Sequence, residues 1–159
     1  MIKKILIANR GEIACRIIRA CHEMSIEAVA VYSEVDSFSP HVLMADETVE
    51  IGPANPSESY LNFQKIVDAA KFTNSDAIHP GYGFLSENGD FAQFVRDSNL
   101  IFIGPDSETI KSMGDKAQSK IMMAKAGVPT IPGNDGELTG NIDSIAKDIG
   151  YPLMVKASA

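Results

Sequence analysis

Asp76-Ala77-Ile78-His79-Pro80-Gly81-Tyr82-Gly83-Phe84-Leu85-Ser86-Glu87-Asn88 reads as a short apolar strand running into a loop whose two glycines flank an aromatic residue. Glycine at the end of a strand supplies positive φ without a Cβ clash and lets backbone approach a ligand. Ser86 and Asn88 offer side-chain oxygens to cap the helix that follows. In open α/β sheets this carboxyl edge of the strands is where ligands bind. Taken alone, the stretch is also what a tight strand-to-helix connection looks like.

Outward from it, the first hundred residues alternate strand and helix with short turns. Residues 4–8 form an apolar strand. Residues 11–24 place Ile13, Ile17, Ile18, Cys21 and Met24 at the spacing of a helix lying on a sheet. Residues 28–32 and 48–51 read as strands, separated by a loop at 36–45 with one helical turn. Residues 60–71 read as a helix with Leu61, Ile66, Val67 and Ala70 on one side. Strand 76–79, helix 89–97 and strand 100–104 complete the series. Parallel strands need crossover connections, so this alternation predicts a Rossmann-like, doubly wound, mostly parallel α/β sheet.

From Pro105 the pattern changes. Residues 106–112 and 115–126 read as helices with no strand between them. Pro129, Pro132, Gly133, Gly136 and Gly140 then mark an irregular link. Residues 141–149 read as a helix ended by Gly150 and Pro152, and 153–156 as an apolar strand. The expected division is 1–112 as a complete domain and 113–159 as a linker with the beginning of a second.

Composition narrows the function. A net charge of −7 over 159 residues argues against an electrostatic nucleic-acid binder. The longest apolar run, residues 28–32, is far short of a membrane span. Lys3 and Lys4 precede an apolar stretch too short for a signal-peptide core. Cys15 and Cys21 lie six apart on one predicted helix, on different faces, so they cannot bridge within it. They are expected to be reduced and half-buried, in a cytoplasmic protein. No His or Cys spacing matches a metal site.

Several residues invite a chemical reading beside a plain one. Asn9-Arg10-Gly11-Glu12 has too few glycines to wrap a pyrophosphate and reads as a tight structural turn with a secondary prospect of touching substrate. Lys116, at a helix start, either offers an ammonium charge to a phosphate or is an exposed helix lysine. Lys156 ends an apolar strand, as a phosphate ligand or as strand punctuation. Tyr82 presents a flat apolar ring and a hydroxyl, or packs on its own turn. Arg16, Arg19 and Glu23 share one helix face, a solvated ridge with a weak Arg19–Glu23 pair. Met122 and Met123 read as core filler. His79 and Ser86 have no third orienting group and make no nucleophile–base pair, and His22 and His41 show no partner pattern.

Three motifs in order, Ile7-Ala8-Asn9-Arg10-Gly11-Glu12-Ile13-Ala14, the 79–88 loop and Met113-Gly114-Asp115-Lys116, closely resemble the N-terminal part of biotin carboxylase. That enzyme is the ATP-dependent component of acetyl-CoA carboxylase and related acyl-CoA carboxylases. The resemblance runs from Ile2 to Ala159 and covers roughly the first third of the enzyme. It implies that Lys116 and Lys156 bind ATP, the latter ahead of a glycine run that closes over the phosphates in an ATP-grasp domain. It also implies that the loop bearing Tyr82 and Gly83 borders the biotin region, and that Arg16, Arg19 and Glu23 contribute to a symmetric homodimer contact.

By the same resemblance, the whole enzyme phosphorylates bicarbonate with MgATP and carboxylates biotin on a carrier protein, beside carboxyltransferase subunits, in fatty acid biosynthesis. Phosphorylation turns a hydroxide into a good leaving group, and lysines with Mg2+ neutralise the gathered anions. The family's magnesium ligands, base and bicarbonate-binding arginine lie beyond Ala159, so no catalytic or metal-binding residue is assigned here and these residues alone are expected to be inactive. Two alternatives stand beside this: another ATP-grasp ligase, such as a carbamoyl-phosphate synthetase or purine-synthesis enzyme, and a non-catalytic scaffolding or dimerisation module.

Overall fold

Apolar runs of small and β-branched residues, each ended by a polar or glycine-bearing turn, form five strands. They are β1 (Lys4–Ile7), β2 (Glu27–Ser33), β3 (Glu47–Gly52), β4 (Ala77–His79) and β5 (Ile101–Phe102). The computed structural model describes residues 1–114, 116–131, 133 and 142–155, with 116–118 in backbone only. All pairings are parallel and the order is β3-β2-β1-β4-β5. The chain winds outward from β1 in one direction and then, from β4, in the other. This is the doubly wound topology, with its switch point between β1 and β4.

The helices are α1 (Gly11–Glu23), α2 (Pro40–Met44), α3 (Phe63–Phe72), α4 (Gly89–Asp97), α5 (Ser107–Gly114), α6 (Lys116–Lys125) and α7 (Ile142–Ile149). Successive strand residues point to opposite faces, so β1 feeds two cores. Ile5 and Ile7 join Ile17, Ile18 and Cys21 of α1 on one side. Leu6 joins Ile66, Val67, Phe91 and Val95 of α3 and α4 on the other. Full burial of each such side chain contributes about 1.5–3 kcal/mol. Phe63, Phe91 and Phe102 extend the second core, with ring centroids 5.1 and 6.0 Å apart along the chain of contacts.

The structure departs from the sequence expectations at several points. The helix expected from 60 begins at Phe63, because Asn62 caps it by accepting the Lys65 N–H at 3.1 Å. Asn55 and Pro56 instead set a single 3-10 turn at Pro56–Glu58. Tyr60 is therefore buried in a connection, and Leu61 is partly exposed rather than on the helix face. Both cysteines are free and buried, not half-buried. Residues 153–155 form no strand, and Met154 and Val155 are exposed: a strand exists only in a ladder, and these residues find no partner among the described residues. Met122 is exposed on α6, so it is not core filler.

The chain divides into two compact units, Met1–Ile110 and Lys111–Ala159. Among the described residues, no helix is long and apolar enough to cross a membrane.

Candidate functional site

A doubly wound sheet opens a crevice beyond the carboxyl ends of the strands that flank its switch point. Here those strands are β1 and β4, which run in register to Ile7 and His79. The ladder continues one step further, where Ala8 N donates to the His79 carbonyl at 2.9 Å. The turn 9–12 and the loop 80–88 therefore leave the sheet side by side. Two stretches about seventy residues apart in sequence, each picked out separately from the sequence, meet here.

Asn9 joins them. Its buried amide nitrogen donates to the carbonyls of Pro80 at 2.8 Å and Tyr82 at 2.9 Å, which uses both of its protons. Its Oδ1 accepts the Arg10 N–H at 2.9 Å. Gly81 passes so close that a Cβ would lie 2.7 Å from Asn9 Nδ2, and its φ is +69°. A side chain there is excluded on both counts. The Gly81 N–H donates to His79 Nδ1 at 3.0 Å, and burial pushes the His79 imidazole below its usual pKa. Gly83 is exposed, with φ +64° and open space where a Cβ would point, while its carbonyl accepts the Ser86 N–H at 2.9 Å.

Tyr82 lies between these fixed points with its side chain outward and 59% of its surface exposed. Its hydroxyl donates to the Glu12 carboxylate, and that bond raises the phenol pKa. Phe84 follows with φ +44°, unusual for an aromatic residue. It stacks on Tyr60 at 5.3 Å with the planes 4° apart. Residues 9–13 and 82–84 line one shallow, open pocket.

A polar layer that the sequence did not reveal supports this edge. Tyr60 is fully buried; its hydroxyl donates to Asp36 at 2.7 Å and accepts the Ser33 N–H at 3.1 Å. Ser33 Oγ donates to the same carboxylate oxygen at 2.8 Å, and Arg10 reaches it at 3.2 Å. Burial pushes the Asp36 carboxyl up, but the bonds from Tyr60, Ser33 and Arg10 outweigh it and hold the group below the usual carboxylate range. Burial, with the Asp36 carboxylate beside it, pushes Tyr60 up to about 12. The Arg10 guanidinium also lies 5.5 Å from the centre of the Tyr60 ring and 5.8 Å from that of Phe84. One signal pointed this way: Asn62, a good cap, places Tyr60 ahead of its helix instead of within it.

Arg16, Arg19 and Glu23 are all exposed on α1. The ion pairs among the described residues do not include Arg19 with Glu23, so the expected weak pair is absent. His22 does have a partner: it meets Asp46 at 3.0 Å, and Asp46 also accepts the Ala28 N–H at 2.8 Å. Asn88 caps α4, accepting the Phe91 N–H at 2.9 Å. Lys116 opens α6, its side chain lying outside the described residues, as does the whole of Lys156. Among the described residues no three His, Cys, Asp or Glu side chains could hold a metal together. An outward aromatic ring beside an exposed glycine suits recognition of a flat, polar-edged molecule better than covalent chemistry.

Similarity to known proteins extends over nearly the whole chain. Residues 1–110 match the family model "Biotin carboxylase, N-terminal domain", and residues 115–159 match "Carbamoyl-phosphate synthase L chain, ATP binding domain". The chain is 56% identical to the biotin carboxylase of Allochromatium vinosum over 99% of its own length and 36% of that protein's. It is 55% identical to the human mitochondrial propionyl-CoA carboxylase alpha chain, over 98% of this chain and 22% of that one. Among solved structures, it superposes with a TM-score of 0.90 and 54% identity on the biotin carboxylase domain dimer of the Hydrogenobacter thermophilus 2-oxoglutarate carboxylase, in complex with MgADP, ADP and bicarbonate. That match covers 99% of this chain and 35% of the other, so the chain spans about a third or less of the relatives it matches.

Proposed function

The chain belongs to the biotin carboxylase family, and we propose that it serves the MgATP-driven carboxylation of biotin by bicarbonate, with the biotin held on a carrier protein. The observation that carries this reading is the junction at the switch point. Asn9 locks the backbone of the 80–82 loop and leaves the Tyr82 ring and the Gly83 peptide facing outward. A flat bicyclic urea has an apolar face for such a ring and polar edges for such a backbone.

Residues 1–112 act as the Rossmann-like wall of the biotin cleft, and 113–159 begin the ATP-grasp portion. Lys116 and Lys156 supply positive charge to the nucleotide phosphates, and that charge matters most as the γ-phosphoryl group moves to bicarbonate. Magnesium ligands are assigned to neither unit's described residues. Arg16, Arg19 and Glu23, exposed together on α1, form part of a homodimer contact. The assembly completes its reaction with a carboxyltransferase, acetyl-CoA carboxylase in cytoplasmic fatty acid synthesis being the reading we favour.

The test is bicarbonate-dependent ATP hydrolysis with free biotin by the full-length gene product, against variants Tyr82→Ala and Lys116→Gln. The expected result is activity in the wild type, a raised KM for biotin in the first variant and a raised KM for ATP in the second. ATP turnover coupled to ammonia or another amine in place of biotin would favour a different ATP-grasp ligase.

A further inference from the structure

The 80–84 loop has positive φ at Gly81, Gly83 and Phe84, and of these only Phe84 carries a side chain. A positive φ at a non-glycine residue such as Phe84 persists only where the surroundings hold it. Asn9 holds the first half by its bonds to the carbonyls of Pro80 and Tyr82. The second half hangs on Phe84, and Phe84 is held by stacking on Tyr60. Tyr60 is itself fixed at its hydroxyl by Asp36 and the Ser33 N–H.

One side chain lies beside Asp36, Tyr60 and Phe84 together. Arg10 pairs with Asp36 at 3.2 Å and lies within 6 Å of the centres of both stacked rings, 5.5 Å from Tyr60 and 5.8 Å from Phe84. A guanidinium at this range over an aromatic face is attracted to the ring, and its planar shape suits stacking as an ammonium does not. Arg10 leaves β1 next to Asn9, so the two anchors of the loop are consecutive residues. Their targets, Pro80, Tyr82 and Phe84, bracket the two residues the loop displays.

We infer that Arg10 is a positioning residue: through Asp36, Tyr60 and Phe84 it presets the Tyr82–Gly83 edge for its ligand, biotin on the reading above. It holds the loop in its binding shape before the ligand arrives, so that little ordering remains to be done on binding.

The experiment uses the full-length protein with Arg10→Met and Arg10→Lys. Two readouts are taken: KM for biotin against KM for ATP, and amide exchange at Gly81 and Ser86, whose N–H groups bond within the loop to His79 Nδ1 and the Gly83 carbonyl. Arg10→Met should raise the KM for biotin about ten-fold or more, a small displacement at a binding edge being enough for that. It should leave the KM for ATP within about two-fold and speed exchange at Ser86, in the half that Phe84 holds, more than at Gly81, in the half that Asn9 holds. Arg10→Lys should fall between, keeping the charge beside Asp36 and losing the guanidinium beside the two rings. If both KM values rise together with a fall in melting temperature, Arg10 is merely structural and the inference is overturned. Unchanged exchange with an unchanged KM for biotin overturns it as well. Faster exchange with an unmoved KM for biotin upholds the positioning and overturns the biotin reading of the loop.

Discussion

α1 and α7 carry the same apolar pattern. In α1 Ala14, Ile17, Ile18 and Cys21 fall at i, i+3, i+4 and i+7; in α7 Ile142, Ile145, Ala146 and Ile149 do the same. In α1 all four are buried, Ala14 and Ile18 completely, against β1, β2 and β4. In α7 only Ala146 is buried, while Ile142 is 57% and Ile149 36% exposed. An apolar stripe is an offer of burial, and a sheet face has to accept it. In Met1–Ile110 five paired strands do so; among the described residues from 111 onward there is no strand. Stability and site geometry are therefore concentrated in the first unit.

The harshest test of that contrast is a pair of truncations in the 159-residue chain. Leu6→Ala, in a site with no exposure, should cost about 2–5 kcal/mol. Ile142→Ala should stay within about 0.5 kcal/mol. Urea unfolding read by circular dichroism compares the two midpoints, and equal shifts would break the contrast. Next comes function carried by the second unit. Lys116→Gln in the full-length protein should raise the KM for ATP on the order of 10- to 150-fold, the worth of one charge-assisted contact. Wild-type kinetics would return Lys116 to the surface lysines.

Two glycines of one loop sharpen the picture at smaller scale. Gly81→Ala and Gly83→Ala both meet the positive-φ penalty, about 1–2 kcal/mol, but only Gly81 also drives a Cβ into Asn9. The melting temperature of the 159-residue chain should thus fall further for Gly81→Ala, and the reverse order would contradict the junction. Smaller still is a titration within the first unit. Burial pushes His41 and His79 below their usual pKa, so the folded state favours their neutral forms. Their contribution is fully present above about pH 6.5, the unfolded value, and is lost as pH falls from there through the folded values. His41 is completely buried, and burial outweighs a backbone hydrogen bond with Val31 and the nearby Asp36 carboxylate, so His41→Phe should flatten the acid limb of a stability–pH profile. A limb of unchanged steepness would show that other groups set it.

The alternation of strands and helices was legible from residues 4 to 104 because each element has its own period and its own turn. The site was legible only in halves. Asn9 and Tyr82 each lay in a stretch worth marking, but spacing along a chain does not show that one side chain bonds the other's carbonyl. Tyr60 was misassigned to a helix because its apolar neighbours fit a helical period, and the local competition was won by the Asn62 cap. Asp36 lay in what read as a plain loop, since a carboxylate held by three donors from three segments has no local signature. The 153–156 stretch shows the opposite failure: three apolar residues ahead of Lys156 satisfied a strand pattern whose ladder is not formed at 153–155.

The double bond from Asn9 has a consequence for how the chain meets a protease. An exposed tyrosine in a glycine-bearing surface loop is ordinarily a preferred site of nicking. To be cut there, the segment must straighten into an extended strand within the protease cleft, which requires the Pro80 and Tyr82 carbonyls to let go of Asn9 and three positive-φ residues to turn over. Tyr82, exposed as its ring is, is thus shielded by its backbone. A chymotrypsin-like enzyme should reach the exposed Tyr151 and Met154 long before it opens the chain at Tyr82.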